Sequence, residues 1–126
     1  MNILVTGANG QLGNSMRKIS NNYPQHRFLF TDMPEVDITD LPLLERIVEQ
    51  EKIGAIVNCA AFTAVDKAES CEDLAAKINV DGPKNLATAA KKAGAKLIHI
   101  STDYVFDGTA STPYTEESPR SPLGVY

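Results

Sequence analysis

Three glycines set two residues apart separate an apolar pentapeptide from an amphipathic run. In "NILVTGANGQLGNSMRKI", Gly7, Gly10 and Gly13 lie between a buried-strand pattern at residues 2–6 and a helical pattern in which Leu12, Met16 and Ile19 share one face. Few folds place such a turn between a strand and a helix. A tight turn needs φ freedom, a close backbone approach needs missing side chains, and helix packed near strand needs a third small residue. The helix start then offers free N–H groups and a partial positive charge to an anion. The turn therefore reads as a dinucleotide pyrophosphate site, with Gly7, Gly10 and Gly13 as its elements.

The rest of the chain repeats this alternation. "RFLFTD" (27–32) reads as a second strand, and Thr39 and Asp40 offer N-caps to a helix with Pro42 in its first turn and Leu44, Ile47 and Val48 on one face. "GAIVNCAA" (54–61) is a third strand. An Ala-rich helical stretch from about Glu72 to Lys92 is expected to break at Gly82–Pro83, with Asp81 capping a new segment and Gly94 ending it. "AKLIHIST" (95–102) is a fourth strand. Apolar strands alternating with amphipathic helices predict an α/β fold, a doubly wound parallel sheet of Rossmann type in one domain. After Val105 the periodicity stops, and a stretch rich in Gly, Ser, Thr and Pro follows, which reads as a functional loop or one lacking a partner element.

Charge and apolar patterning exclude several function classes. The net charge of −4 and the lack of any basic cluster argue against nucleic acid and anionic membrane surfaces as partners. No apolar run approaches the length of a membrane span, and no charged leader precedes the first strand, so the reading is cytoplasmic. Cys59 and Cys71 are then expected as reduced thiols, with Cys59 a small core residue.

Asp32 closes the second strand 19 residues after Gly13, where a carboxylate can accept hydrogen bonds from an adenosine ribose. Against a 2′-phosphate charge at ~4 Å its repulsion is roughly 1 kcal/mol in water-like surroundings and about 4 kcal/mol at an effective dielectric of ~20. Either NADH or NADPH remains open as cofactor, with a lean toward NADH. Ala60 and Ala61 end the third strand, and small side chains at that end of an open α/β sheet leave room for a ligand.

The GxxGxxG spacing resembles that of the extended short-chain dehydrogenase/reductases. "VNCAAFTAVDKAE" (57–69) and "STDYVFDG" (101–108) are similar to signature segments of the dTDP-4-dehydrorhamnose reductase family, and the likeness runs from the glycine turn to "PLGVY". The resemblance implies hydride delivery to C4 of a 4-keto sugar, with a dTDP-sugar as substrate. It implies that Gly10, Gln11 and Leu12 line the pyrophosphate, that Asp37 and Ile38 hold the adenine, and that Ala60, Ala61 and Thr63 follow the ribose and nicotinamide. Tyr126 takes the place of the superfamily's proton-donating tyrosine, where it also meets the cofactor. Thr102 takes that of the hydroxyl on the carbonyl oxygen, and Asp103 that of a substrate contact. Asn79 matches either an asparagine that braces the active site or a helix-bend residue.

The lysine that would follow Tyr126 by one helical turn, and a C-terminal substrate domain, lie outside residues 1–126. On that resemblance the chain is an incomplete cofactor domain, inactive alone. Some relatives carry a glutamate early in the first helix that joins a metal-linked dimer; here the position reads Ser15, so no metal site is expected, while a homodimer stays open. Two other readings share the same fold: a nucleotide-sugar epimerase or dehydratase, and a non-catalytic cofactor-binding regulatory subunit.

Overall fold

The computed structural model describes residues Met1–Tyr126. Four strands run in parallel, β1 (Asn2–Thr6), β2 (Arg27–Phe30), β3 (Ile53–Asn58) and β4 (Lys96–His99), in the order β2-β1-β3-β4. The chain order reverses between β1 and β3, which makes their C-terminal ends the crevice where ligands of open α/β sheets sit. The strands are shorter than their apolar runs. Residues 31–32, 59–61 and 100–102 lie past the last ladder positions, as loops at that crevice.

Helix α1 (Gln11–Ser20) follows the glycine turn, and α2 (Leu41–Gln50) starts on Asp40, whose carboxylate accepts from Leu43 N–H at 3.1 Å. One face of the sheet is closed by α2 and by α5 (Gly82–Ala93). Leu4 and Ile56 from the strands, Leu44 and Val48 from α2, and Leu86, Ala89 and Ala90 from α5 form its core. Each large aliphatic side chain buried there contributes about 1.5–3 kcal/mol. The other face is less covered than a doubly wound pattern predicts. The expected inward face of α1 is largely in solvent, with Leu12 43% and Ile19 52% exposed. What brings α1 close to the sheet is Gly13, its one buried residue.

The Ala-rich stretch also departs from expectation. Rather than breaking at Gly82–Pro83, it runs from α4 (Glu72–Ala76) through a π-helical turn (Lys77–Asp81) into α5, and Asp81 makes no side-chain cap. The N–H of Gly82 bonds the Lys77 carbonyl five residues back. This wider turn accommodates the missing N–H of Pro83 without a break. Gly82 serves packing: a Cβ there would stand 2.4 Å from Cδ1 of Ile38. A further short helix, α3 (Val65–Ala68), has no counterpart in the sequence pattern.

Beyond the 3₁₀ turn Asp103–Val105 there is no helix or strand, yet the loop is tied down. Phe106 and Tyr114 stack with centroids 4.3 Å apart, the Tyr114 hydroxyl donates to Asp107, and Ser121 N–H donates to the Val105 carbonyl at 2.7 Å.

Candidate active site

The loops after β1 and β3 touch through their backbones. A Cβ on Gly7, whose φ is +65°, would lie 2.5 Å from the Ala60 nitrogen, so no other residue fits. At Gly13 a Cβ would come within 2.5 Å of the Ala8 Cα. Gly10 differs: its nearest neighbour would be the Gly7 carbonyl oxygen at 3.4 Å, an ordinary contact. Gly7 and Gly13 are closed by the protein itself, whereas the space beside Gly10 is open. Gly10 also offers no capping side chain, and no protein acceptor takes the N–H groups of Gln11, Leu12 and Gly13. That combination suits a phosphate at the helix start.

A groove of about 300 Å³ opens there, lined by Gly7, Gly10, Asp32, Asp37, Ile38, Cys59, Ala60 and Ala61, with Met33, Leu74 and Lys77 on its rim. Asp32 holds the glycine loop: its carboxylate accepts from Asn9 N–H at 2.8 Å and from Met33 N–H at 2.7 Å. One lone pair on each oxygen is left for a ribose hydroxyl. Asp37 folds its own loop, accepting from the Thr39 hydroxyl at 2.7 Å and the Thr39 N–H at 2.9 Å. These bonds, hydroxyl first, with a smaller attraction from Lys77, hold its carboxyl below the ordinary 3.8. Ile38 is buried against Gly82 and shows only an edge to the groove. Gln11, Leu12 and Gly13 are not among the residues that line the groove, and neither is the exposed Thr63. Cys59 is half-buried in the groove wall rather than a core residue, its Sγ 4.0 Å from the Met16 sulfur, and burial raises its thiol pKa. Both cysteines are free.

Ala60 and Ala61 also border a second cleft of about 160 Å³, with Asn79, His99, Thr102 and Tyr126 on its walls. The two clefts thus meet over the same pair of small residues. The Thr102 hydroxyl oxygen accepts from Tyr104 N–H at 3.2 Å, and its own proton makes only a long 3.5 Å approach to Asp103. Tyr126 packs against Tyr104 edge to face, centroids 5.7 Å apart. Asp103 does not line this cleft but borders a neighbouring hollow that Tyr126 also borders.

Three groups that the sequence reading did not single out support these clefts. Asn58 is buried, and its Oδ1 accepts from the Thr6 hydroxyl at 2.7 Å and from Ala60 N–H at 3.1 Å. Those two donors fix the amide, so its Nδ2 donates to Nδ1 of His99 at 3.1 Å and the imidazole carries its proton on Nε2. Thr6, Asn58 and His99 therefore join the ends of β1, β3 and β4 directly beneath the clefts. A polar residue inside the apolar run "AIVNCAA" was the available signal.

This arrangement defines a Rossmann-like α/β unit with a nucleotide-sized groove at its topological switch point. The chain belongs to the RmlD family: the family model described as the RmlD substrate binding domain matches residues 1–126. It is similar to the dTDP-4-dehydrorhamnose reductase of Burkholderia thailandensis, 45% identical over 126 residues that cover all of this chain and 42% of that protein. Among solved structures, a dTDP-4-dehydrorhamnose reductase from Clostridium acetobutylicum superposes with a TM-score of 0.95 at 47% identity, covering 100% of this chain and 45% of its own. The dTDP-4-dehydrorhamnose reductase of Bacillus anthracis, solved in complex with NADP, gives a TM-score of 0.94 at 38% identity over 99% of this chain and 45% of its own. The chain thus spans less than half the length of these relatives.

Proposed function

We propose that this chain carries the cofactor groove and the proton donor of a reductase that uses NADH or NADPH to convert dTDP-4-dehydro-6-deoxy-L-mannose to dTDP-L-rhamnose. The observation that carries the reading is the meeting of the two clefts over Ala60 and Ala61, with Thr102 and Tyr126 on the far side. The cofactor supplies hydride when bound. The chain's own part is to seat a pyrophosphate on the start of α1, to offer Asp32 to the ribose, and to hold a hydroxyl and a phenol beside the reacting carbonyl. Thr102 accepts from Tyr104 N–H and its own proton has only a long 3.5 Å approach to Asp103, which leaves that proton free to bond a substrate oxygen. Tyr126 then adds the proton to that oxygen, and Asp103 contacts the sugar. The carboxylate of Asp32 favours NADH. The relatives named dTDP-4-dehydrorhamnose reductase support the substrate, and no helix is long and apolar enough to cross a membrane, in keeping with a cytoplasmic setting.

The test is NADH and NADPH oxidation by the complete gene product with the keto sugar. Tyr126→Phe should lower kcat on the order of 10²–10⁴-fold. An unchanged kcat would remove Tyr126 from the mechanism.

A further inference from the structure

The "TAVDKAE" segment ends on a carboxylate whose partner lies far along the chain. Glu69 Oε1 accepts from Val125 N–H at 2.9 Å, a bond that spans 56 residues and ends one residue before Tyr126. Glu69 sits at the C-terminal end of α3, a four-residue helix whose last residue, Ala68, is fully buried. The buried alanine fixes the helix, so the neighbouring glutamate projects from a held base. The far side is shaped for the carboxylate. At Gly124 a Cβ would stand 3.0 Å from the same Oε1, closer than side chains normally pack. Gly124 does not have a positive φ, so alanine is compatible with its backbone. Glycine there keeps space for Glu69.

We infer that Glu69 is a positioning residue: its carboxylate holds the Val125 peptide and thereby sets where the Tyr126 phenol stands over the Thr102 cleft. Between Ser121, whose N–H bonds the Val105 carbonyl, and Tyr126, this is the only hydrogen bond that fastens the backbone to the rest of the chain. Tyr126 itself makes the edge contact with Tyr104 but no side-chain hydrogen bond. A phenol that must deliver a proton within about 3 Å cannot tolerate a loose peptide before it, since misplacement by ~1 Å costs on the order of 10²-fold in rate. The inference rests on the proposed role of Tyr126, and the experiment separates the two.

The complete gene product would be assayed as wild type and as Glu69→Ala, Glu69→Gln, Gly124→Ala and Tyr126→Phe, with kcat and the cofactor KM measured for each. Glu69→Ala should lower kcat about 10–100-fold with the cofactor KM within about 2-fold, because the groove is untouched. Glu69→Gln keeps an acceptor oxygen at the same reach and should retain most of kcat. In Gly124→Ala the carboxylate must give by a few tenths of an ångström, so this variant should lose kcat in the same direction as Glu69→Ala but less, although Glu69 is intact. Amide exchange at Val125 should quicken in Glu69→Ala and Gly124→Ala but not in Glu69→Gln. If Tyr126→Phe lowers kcat while Glu69→Ala does not, the positioning role is refuted and the proton donor stands. Equal losses in Glu69→Gln and Glu69→Ala would also refute it, since charge rather than the held bond would then matter. If Tyr126→Phe has no effect, the functional reading itself fails.

Discussion

Asn79 holds Phe62 by both ends of its backbone: its Oδ1 accepts from Phe62 N–H at 2.8 Å and its Nδ2 donates to the Phe62 carbonyl at 3.0 Å. The asparagine belongs to the π-helical turn, and Phe62 follows the two alanines that both clefts share. A helix is thereby fastened to the loop that forms the floor between the two clefts. Asn79→Ala should cost about 1–3 kcal/mol and weaken cofactor binding together with stability. Asn79→Asp should be the worse variant in stability, because a carboxylate oxygen would face the Phe62 carbonyl. Thermal denaturation and fluorescence titration with NADH would check both.

The first two glycines of the turn should behave differently. Gly7→Ala forces a Cβ against the Ala60 backbone at a left-handed φ, and a loss of roughly 3 kcal/mol or more is expected, read as loss of soluble folded protein. Gly10→Ala meets only ordinary contacts within the protein. Its stability should stay within about 0.5 kcal/mol of wild type while its affinity for a nicotinamide dinucleotide falls about 10-fold or more. A Gly10→Ala variant that binds normally would place the pyrophosphate elsewhere.

The buried amide of Asn58 has donors on one side and an imidazole on the other. Asn58→Leu keeps the bulk but strands the Thr6 hydroxyl and the Ala60 N–H, and a loss of about 2–4 kcal/mol is expected in urea denaturation. Thr6→Val, which removes one donor and adds no unpaired group, should cost less.

Stability should respond to acid through Asp37. Its folded pKa lies below the ordinary 3.8, chiefly because the Thr39 hydroxyl and N–H bond the charged form. A depressed carboxyl contributes stability that is present above the unfolded value and is lost as pH falls through the folded one. The stability difference between wild type and Asp37→Asn should therefore be constant near neutrality and shrink below pH ~4. A difference independent of pH would mean that the Thr39 bonds do not distinguish charged from neutral Asp37.

Alkylation of Cys59 should require more alkaline conditions than a free thiol, since burial raises its pKa, and saturating NADH should slow it further because Cys59 is one of the residues that line the groove. Mass spectrometry of iodoacetamide-treated protein would show both effects.

The sheet was legible because parallel strands covered by helices must be apolar along their whole length, as in residues 2–6 and 54–58. The glycine turn was legible because its backbone geometry admits so few residue types. Helix α1 misled, since periodicity reports an amphipathic face but not whether anything covers it. The break expected at Gly82–Pro83 was an error of the same origin: local propensity sees a proline, whereas the π-turn and the Ile38 contact are tertiary. Asn79 could be placed by resemblance, but its grip on Phe62 could not, and Glu69 gave no sign of a partner 56 residues away. Thr102 and Tyr126 stand on one cleft because separate loops converge there, which no spacing of residues encodes.

The contact between Gly7 and Ala60 is made of peptide on both sides, with no side chain between. Side-chain substitution therefore cannot widen the groove at its base. The shape and charge of the groove can be altered instead at side chains that line it away from this contact, among them Asp32, Met33, Leu74 and Lys77.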